Sequence, residues 1–159
     1  MNHKQFLISS YTDNEKRRSL EELLYWKNNR GDIATSYKNV NAKYIPKIYK
    51  PYNKIKIISL GWNNLCFQNS LNTCKYNDEY KMVGGYNITA CPCGRKIGLE
   101  PHFVNYKIEN GKKVYYDFTS DFDNEEYKYF VPNSDINSGC DLRKWKHFNK
   151  GCKCNINWN

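Results

Sequence analysis

The period of the apolar positions changes along this chain, and each change marks an element. Residues 6–10, Phe-Leu-Ile-Ser-Ser, are a short apolar run that predicts a strand. Thr12 with Glu15 three residues on is a capping-box pair, which opens a predicted helix running to about Arg30, with Gly31 as its stop. Leu20, Leu23, Leu24 and Lys27 recur there at helical spacing. That spacing predicts a leucine stripe turned to the core, with Lys16, Arg17 and Arg18 toward water. Residues 33–51 are irregular and Tyr-rich, broken by Pro46 and Pro51, and read as a connector.

Residues 55–60 are a β-branched run suited to a buried strand, and Gly61 breaks it. Asn63 or Asn64 then caps a predicted helix carrying Leu65, Cys66 and Leu71. Residues 80–86 predict another strand, and residues 88–100 a loop containing Cys-Pro-Cys-Gly. His102 opens a hairpin whose turn is Asn110-Gly111, the strongest short signal for a two-residue type I′ loop. In that register Glu109 faces Lys112, Val104 faces Asp117 and His102 faces Thr119. Alternation then puts His102, Val104, Asp117 and Thr119 on one face, with Asp117 diagonal to His102 at about 7 Å between Cβ atoms.

With 159 residues the chain is read as one domain: a helical scaffold over 1–53, a core over 54–131 and a basic, Cys-containing tail over 132–159. Aromatic residues make up 16% of it, including 14 Tyr, far more than a disordered chain carries. The abundance of Lys, Asn, Tyr and Ile is what an AT-rich genome produces, which dilutes compositional arguments. Net charge is +9, concentrated locally only at Arg143, Lys144, Lys146, Lys150 and Lys153, so polyanion contact through the tail is an expectation. The N-terminus lacks a secretory apolar region, and no stretch reaches the roughly 18–20 apolar residues of a membrane span. A cytoplasmic protein is expected, including one a virus or an effector system would deploy in a host cell. Seven cysteines in that compartment favour thiols or a metal over disulfides.

Cys66 carries the candidate chemistry. A thiol is a useful nucleophile when its thiolate is favoured, and a helix start beside an imidazole favours it twice, through the dipole and the base. His102 would take and return the proton, and Asp117 would fix the imidazole's tautomer and stabilise the imidazolium. Backbone amides at the helix start, with the side chains of Asn63 and Asn64, are the candidate oxyanion donors. The reaction expected is acyl transfer on a protein or peptide amide through a thioester, with no cofactor required for catalysis.

Cys91, Cys93, Cys152 and Cys154, with Cys140 nearby, form a second group that could close a structural zinc site; free thiols or disulfides are the alternatives. Two other functional classes compete. One is a non-catalytic, zinc-stapled basic module binding nucleic acid or protein. The other is a glycosyltransferase-like protein using Asp121-Phe122-Asp123 as a metal-binding Asp-x-Asp.

Residues 60–126 resemble the papain-like cysteine hydrolase superfamily, and within it the transglutaminase-like core. There a Cys begins a helix, followed by a Val-x-Gly-Tyr strand, a His strand and an Asp-x-Thr strand. The matching residues are Cys66, then Val83-Gly84-Gly85-Tyr86, then His102-Phe103-Val104-Asn105, then Asp117-Phe118-Thr119. The run Asn-Leu-Cys-Phe-Gln-Asn-Ser also looks like the cysteine box of ubiquitin-specific peptidases. The chain departs from the transglutaminase-like pattern at Val104, where members commonly carry Trp, and no upstream Gln matches the papain oxyanion residue. The resemblance implies an α+β fold with the nucleophile helix packed on an antiparallel sheet. It implies a mechanism shared by peptidases, amidases, deamidases and transglutaminases rather than one substrate.

Overall fold

A computed structural model describes residues 1–29, 53–62, 64–90, 97–119 and 127–133. Helix α1, His3–Ser9, occupies the run read above as a strand. Asn2 and Gln5 make reciprocal capping bonds of 2.9 and 3.0 Å, and this local satisfaction of first-turn amides selects helix for a run too short for its period to decide. Helix α2, Asp13–Asn29, begins at the expected Thr12–Glu15 capping box, whose bonds are 2.9 and 3.1 Å. Its leucine stripe does not meet the core. Leu20, Leu23 and Leu24 are 50%, 39% and 55% exposed, while Ser19 is buried. Helical spacing fixes which side chains share a face; it does not fix what that face meets. Gly31 and the 33–51 connector lie outside the described residues.

Strands β1 (Asn53–Gly61), β2 (Lys81–Ala90), β3 (Ile97–Glu109), β4 (Lys112–Thr119) and β5 (Tyr127–Pro132) close a barrel in the order β1-β4-β3-β2-β5. The barrel is accompanied by a few helices, and its sheet is not wholly antiparallel as expected: β1 runs parallel to β4. A parallel neighbour requires a long crossover, here supplied by everything between Gly61 and Lys112, including helix α3 (Cys66–Tyr76). β1 is only partly buried, with Ile55 and Gly61 inside and Ile57, Ile58 and Leu60 half-buried. Residues 88–90 and 97–100 of the expected loop are strand, with β2 and β3 paired out to Ala90 and Ile97, and residues 91–96, including Cys-Pro-Cys-Gly, lie outside the described residues.

The β3–β4 turn forms as read from the sequence. Asn110 and Gly111 have φ of 51° and 76°, the positive values a type I′ turn demands, and pairs run from Glu109↔Lys112 to Asn105↔Tyr116. Ile55, Val104 and Phe130 are fully buried together, with Val83 and Tyr115 packed on them; each such apolar side chain contributes about 1.5–3 kcal/mol. Pairing ties the polar site to the same face, because Val83↔Val104, Gly85↔His102 and Ile57↔Asp117 are partners. His102 and Asp117 therefore occupy inward-facing positions next to the hydrophobic centre of the barrel.

Helices α1 and α3 lie on the barrel. His3 stacks on Tyr76 with ring centroids 4.8 Å apart, meets Phe118 edge-on at 4.7 Å, and its Nε2 bonds Thr73 Oγ1 at 2.8 Å. The buried Asn105 of β3 holds α3 from the sheet side, donating from Nδ2 to the Ser70 carbonyl at 2.9 Å. No helix among the described residues is long and apolar enough to cross a membrane.

Candidate active site

β1 ends at Gly61, and α3 starts at Cys66. Asn64 adopts φ of 62°, a left-handed conformation that Asn tolerates better than other non-glycine residues. Leu65, fully buried, is the N-cap and makes no side-chain cap bond. This corrects the expected capping role: Asn64 turns the backbone and is exposed, and Asn63 lies outside the described residues. Cys66 becomes the first residue of α3. The helix's first turn bond runs from Asn69 N–H to the Leu65 carbonyl at 2.7 Å, so the amides of Cys66, Phe67 and Gln68 are those a helix start leaves without an internal partner.

Cys66, His102 and Asp117 come together. His102 Nε2 lies 2.7 Å from Asp117 Oδ2, with His102 9% and Asp117 1% exposed. An ionised carboxylate only accepts, so Nε2 carries the proton and Nδ1 is the ring nitrogen left for Cys66. The second carboxylate oxygen, Oδ1, accepts the Thr119 N–H at 3.0 Å. Both Asp117 oxygens are thereby fixed, and the imidazole plane with them.

The electrostatics favour an ion pair. Burial by itself would raise the Cys66 thiol; the hydrogen bond and charge of His102, with the Phe103 amide, outweigh burial and the opposing Asp117 charge, and hold the thiol below its ordinary value. Burial would likewise lower His102, but the charge and hydrogen bond of Asp117, with the bond to Cys66, raise it well above the imidazole range. For Asp117, burial pushes upward and is overcome by His102, assisted by Lys128 and the Thr119 amide, so the carboxyl sits below its usual range. Cys74 is the internal contrast. Half-buried on the same helix, it is raised by burial, which Lys81 and the Asn105 side chain only partly offset.

Asn69, fully buried three residues beyond Cys66, is a member of this neighbourhood that the sequence reading missed. Its Nδ2 donates to the Trp62 carbonyl at 3.0 Å and to Thr119 Oγ1 at 3.2 Å, and its Oδ1 accepts from the Tyr11 hydroxyl. Tyr11 in turn accepts the Trp62 N–H at 2.8 Å. Burial pushes the Tyr11 hydroxyl up to about 12, keeping it a donor. The signal was present in part, since an i, i+3 residue shares a helix face with the nucleophile candidate.

Val104, where the transglutaminase-like pattern has Trp, is a fully buried barrel residue. Cys91, Cys93, Cys140, Cys152 and Cys154, the basic cluster from Arg143 to Lys153, and Asp121 and Asp123 all lie outside the described residues. Among the described residues, no three His, Cys, Asp or Glu side chains are grouped to hold a metal ion. No protein-family model matches the chain, and neither a curated protein nor a solved structure shows significant similarity to it.

Proposed function

We propose that this chain is a cysteine-dependent amide hydrolase or acyltransferase of papain-like type, with Cys66 as nucleophile, His102 as acid and base, and Asp117 as orienting carboxylate. One observation carries the reading: a helix-start thiol set beside an imidazole that lowers it, with one nitrogen of that ring fixed at 2.7 Å on a buried carboxylate. A structural cysteine needs none of this, and burying a His–Asp pair inside a small barrel is costly unless the pair is used or fully satisfied.

In the first step the Cys66 thiolate attacks the amide carbonyl carbon, forming the C–S bond. The oxyanion is met by first-turn amides of α3. His102 Nδ1–H then protonates the departing nitrogen as the C–N bond breaks, leaving a thioester and a neutral imidazole. Water or a second amine attacks that thioester, giving its proton to Nδ1, and the C–S bond breaks to restore the thiolate–imidazolium pair. Asp117 remains ionised throughout and holds the ring so that Nδ1 faces sulfur. The resemblance of the Cys66, His102 and Asp117 segments to the transglutaminase-like core supports the same assignment, as does their order in the chain.

The substrate class is a protein or peptide amide, and the site of action the cytoplasm. No metal enters these steps; zinc on the tail cysteines would be structural. The test is iodoacetamide modification of Cys66 across pH, read by peptide mass spectrometry, in the unaltered chain and in His102→Ala. A reactive thiolate persisting well below the unperturbed value of about 8.5, and lost in His102→Ala, supports the reading. An ordinary thiol titration indifferent to His102 removes it and leaves the basic binding module first.

A further inference from the structure

We infer that Asn69 is a positioning residue for the Cys66–His102 pair and that Tyr11, from the N-terminal segment, belongs to the same apparatus. This deepens the thiol-hydrolase reading and rests on it. Asn69 lies on the helix that begins with Cys66, and it reaches three separate parts of the chain: Tyr11, the nucleophile loop at Trp62 and the end of β4 at Thr119. Thr119 donates its backbone N–H to Asp117, and Asp117 holds His102. A hydrogen-bonded circuit therefore runs from the nucleophile helix through Asn69, Thr119 and Asp117 to the imidazole, and returns to Cys66.

The circuit is saturated and directional. The Tyr11 oxygen accepts the Trp62 amide, so its own proton goes to Asn69 Oδ1; that fixes the carboxamide with both Nδ2 protons on Trp62 and Thr119. Gly61 makes the arrangement possible, because a Cβ there would overlap the Asn69 carboxamide. A side chain that only filled space would not need this orientation. What the circuit sets is the placement of α3 relative to β4, and hence of sulfur relative to Nδ1. Tyr11 is thus more than scaffold, since its hydroxyl closes the circuit.

Two single-hydroxyl deletions at opposite ends test this: Tyr11→Phe and the near-isosteric Thr119→Val, with Thr119→Ser as the conservative control. Each is examined by the pH–rate profile of Cys66 alkylation with iodoacetamide, using Cys74 in the same sample as reference, and by thermal melting. Loss of the one bond the Thr119 hydroxyl makes, or of the two the Tyr11 hydroxyl makes, is expected to move the profile's midpoint up by about 0.7 pH unit or more and to slow Cys66 alkylation about five-fold at pH values below that midpoint. Thr119→Ser should follow the unaltered chain, and Cys74 should not change in any of them. Variants that melt earlier yet keep the original Cys66 midpoint would show a purely structural network and overturn the inference. An ordinary thiol midpoint in the unaltered chain would instead remove the thiol-hydrolase reading, and the positioning role with it.

Discussion

Replacing Asp117 by Asn tests the electrostatic core of the site with almost no change of shape. Asp117 Oδ1 accepts the Thr119 amide at 3.0 Å, so in Asp117→Asn that side must remain the carbonyl oxygen and the new NH2 must face His102. Nε2 then has to accept, which drives the imidazole proton onto Nδ1, toward sulfur. A neutral ring with hydrogen on Nδ1 cannot take the Cys66 proton, and an imidazolium has lost its buried counter-charge. The deleted interaction is a charge-assisted bond at 2.7 Å between groups 9% and 1% exposed, worth about 1.5–3 kcal/mol. At 1.36 kcal/mol per tenfold, that predicts a fall of about ten- to a hundred-fold in Cys66 alkylation at pH 7, with the midpoint moving toward an ordinary thiol. Loss of the direct Asp117–Cys66 repulsion works the other way and is the weaker effect. The assay is the pH–rate profile by peptide mass spectrometry, accompanied by a melting curve to establish that the variant is folded. A folded Asp117→Asn whose Cys66 profile overlays that of the unaltered chain would refute the reasoning.

Other outcomes follow from the same structure. Cys66 should be alkylated at least about tenfold faster than Cys74 at pH 7, because one thiol is lowered by its imidazole and the other raised by burial; equal rates in the native chain would contradict the pairing. Stability should depend on pH through His102 and Asp117 with opposite signs. His102 is raised on folding, so its contribution is complete below about pH 6.5 and is lost as pH rises through the raised value; Asp117 is lowered, so its contribution is complete above about pH 3.9 and is lost as pH falls through the depressed value. Urea midpoints should therefore be highest across about pH 6.5–8.5, where the Cys66 thiol, lowered on folding, offsets what His102 loses, and His102→Ala should lower that plateau. Gly61→Ala should cost about 1–3 kcal/mol by urea titration, since its Cβ must displace the Asn69 carboxamide. Gly111→Ala, at φ of 76° with open space around it, should cost about 1 kcal/mol and leave Cys66 reactivity untouched.

By itself the sequence determined what short-range chemistry determines. The Thr12–Glu15 cap, the Asn110-Gly111 turn and period-two alternation are local, and together they put Asp117 on the His102 face before any tertiary contact was known. The start of α3 at Cys66 was legible for the same reason, apart from the identity of its cap. Tertiary structure decided the rest. A short apolar run fits a strand or a helix, and 6–10 became helical through Asn2 and Gln5 and the aromatic surface at Tyr76. Parallel pairing of β1 with β4 and closure of the barrel join residues separated by much of the chain, so no local period encodes them. Leucine spacing in α2 could not say that Leu20, Leu23 and Leu24 would stay exposed. Nor could Asn69 be singled out from the polar residues around it. Its importance comes from being buried where Tyr11, Trp62 and Thr119 converge, and only folding brings those three together.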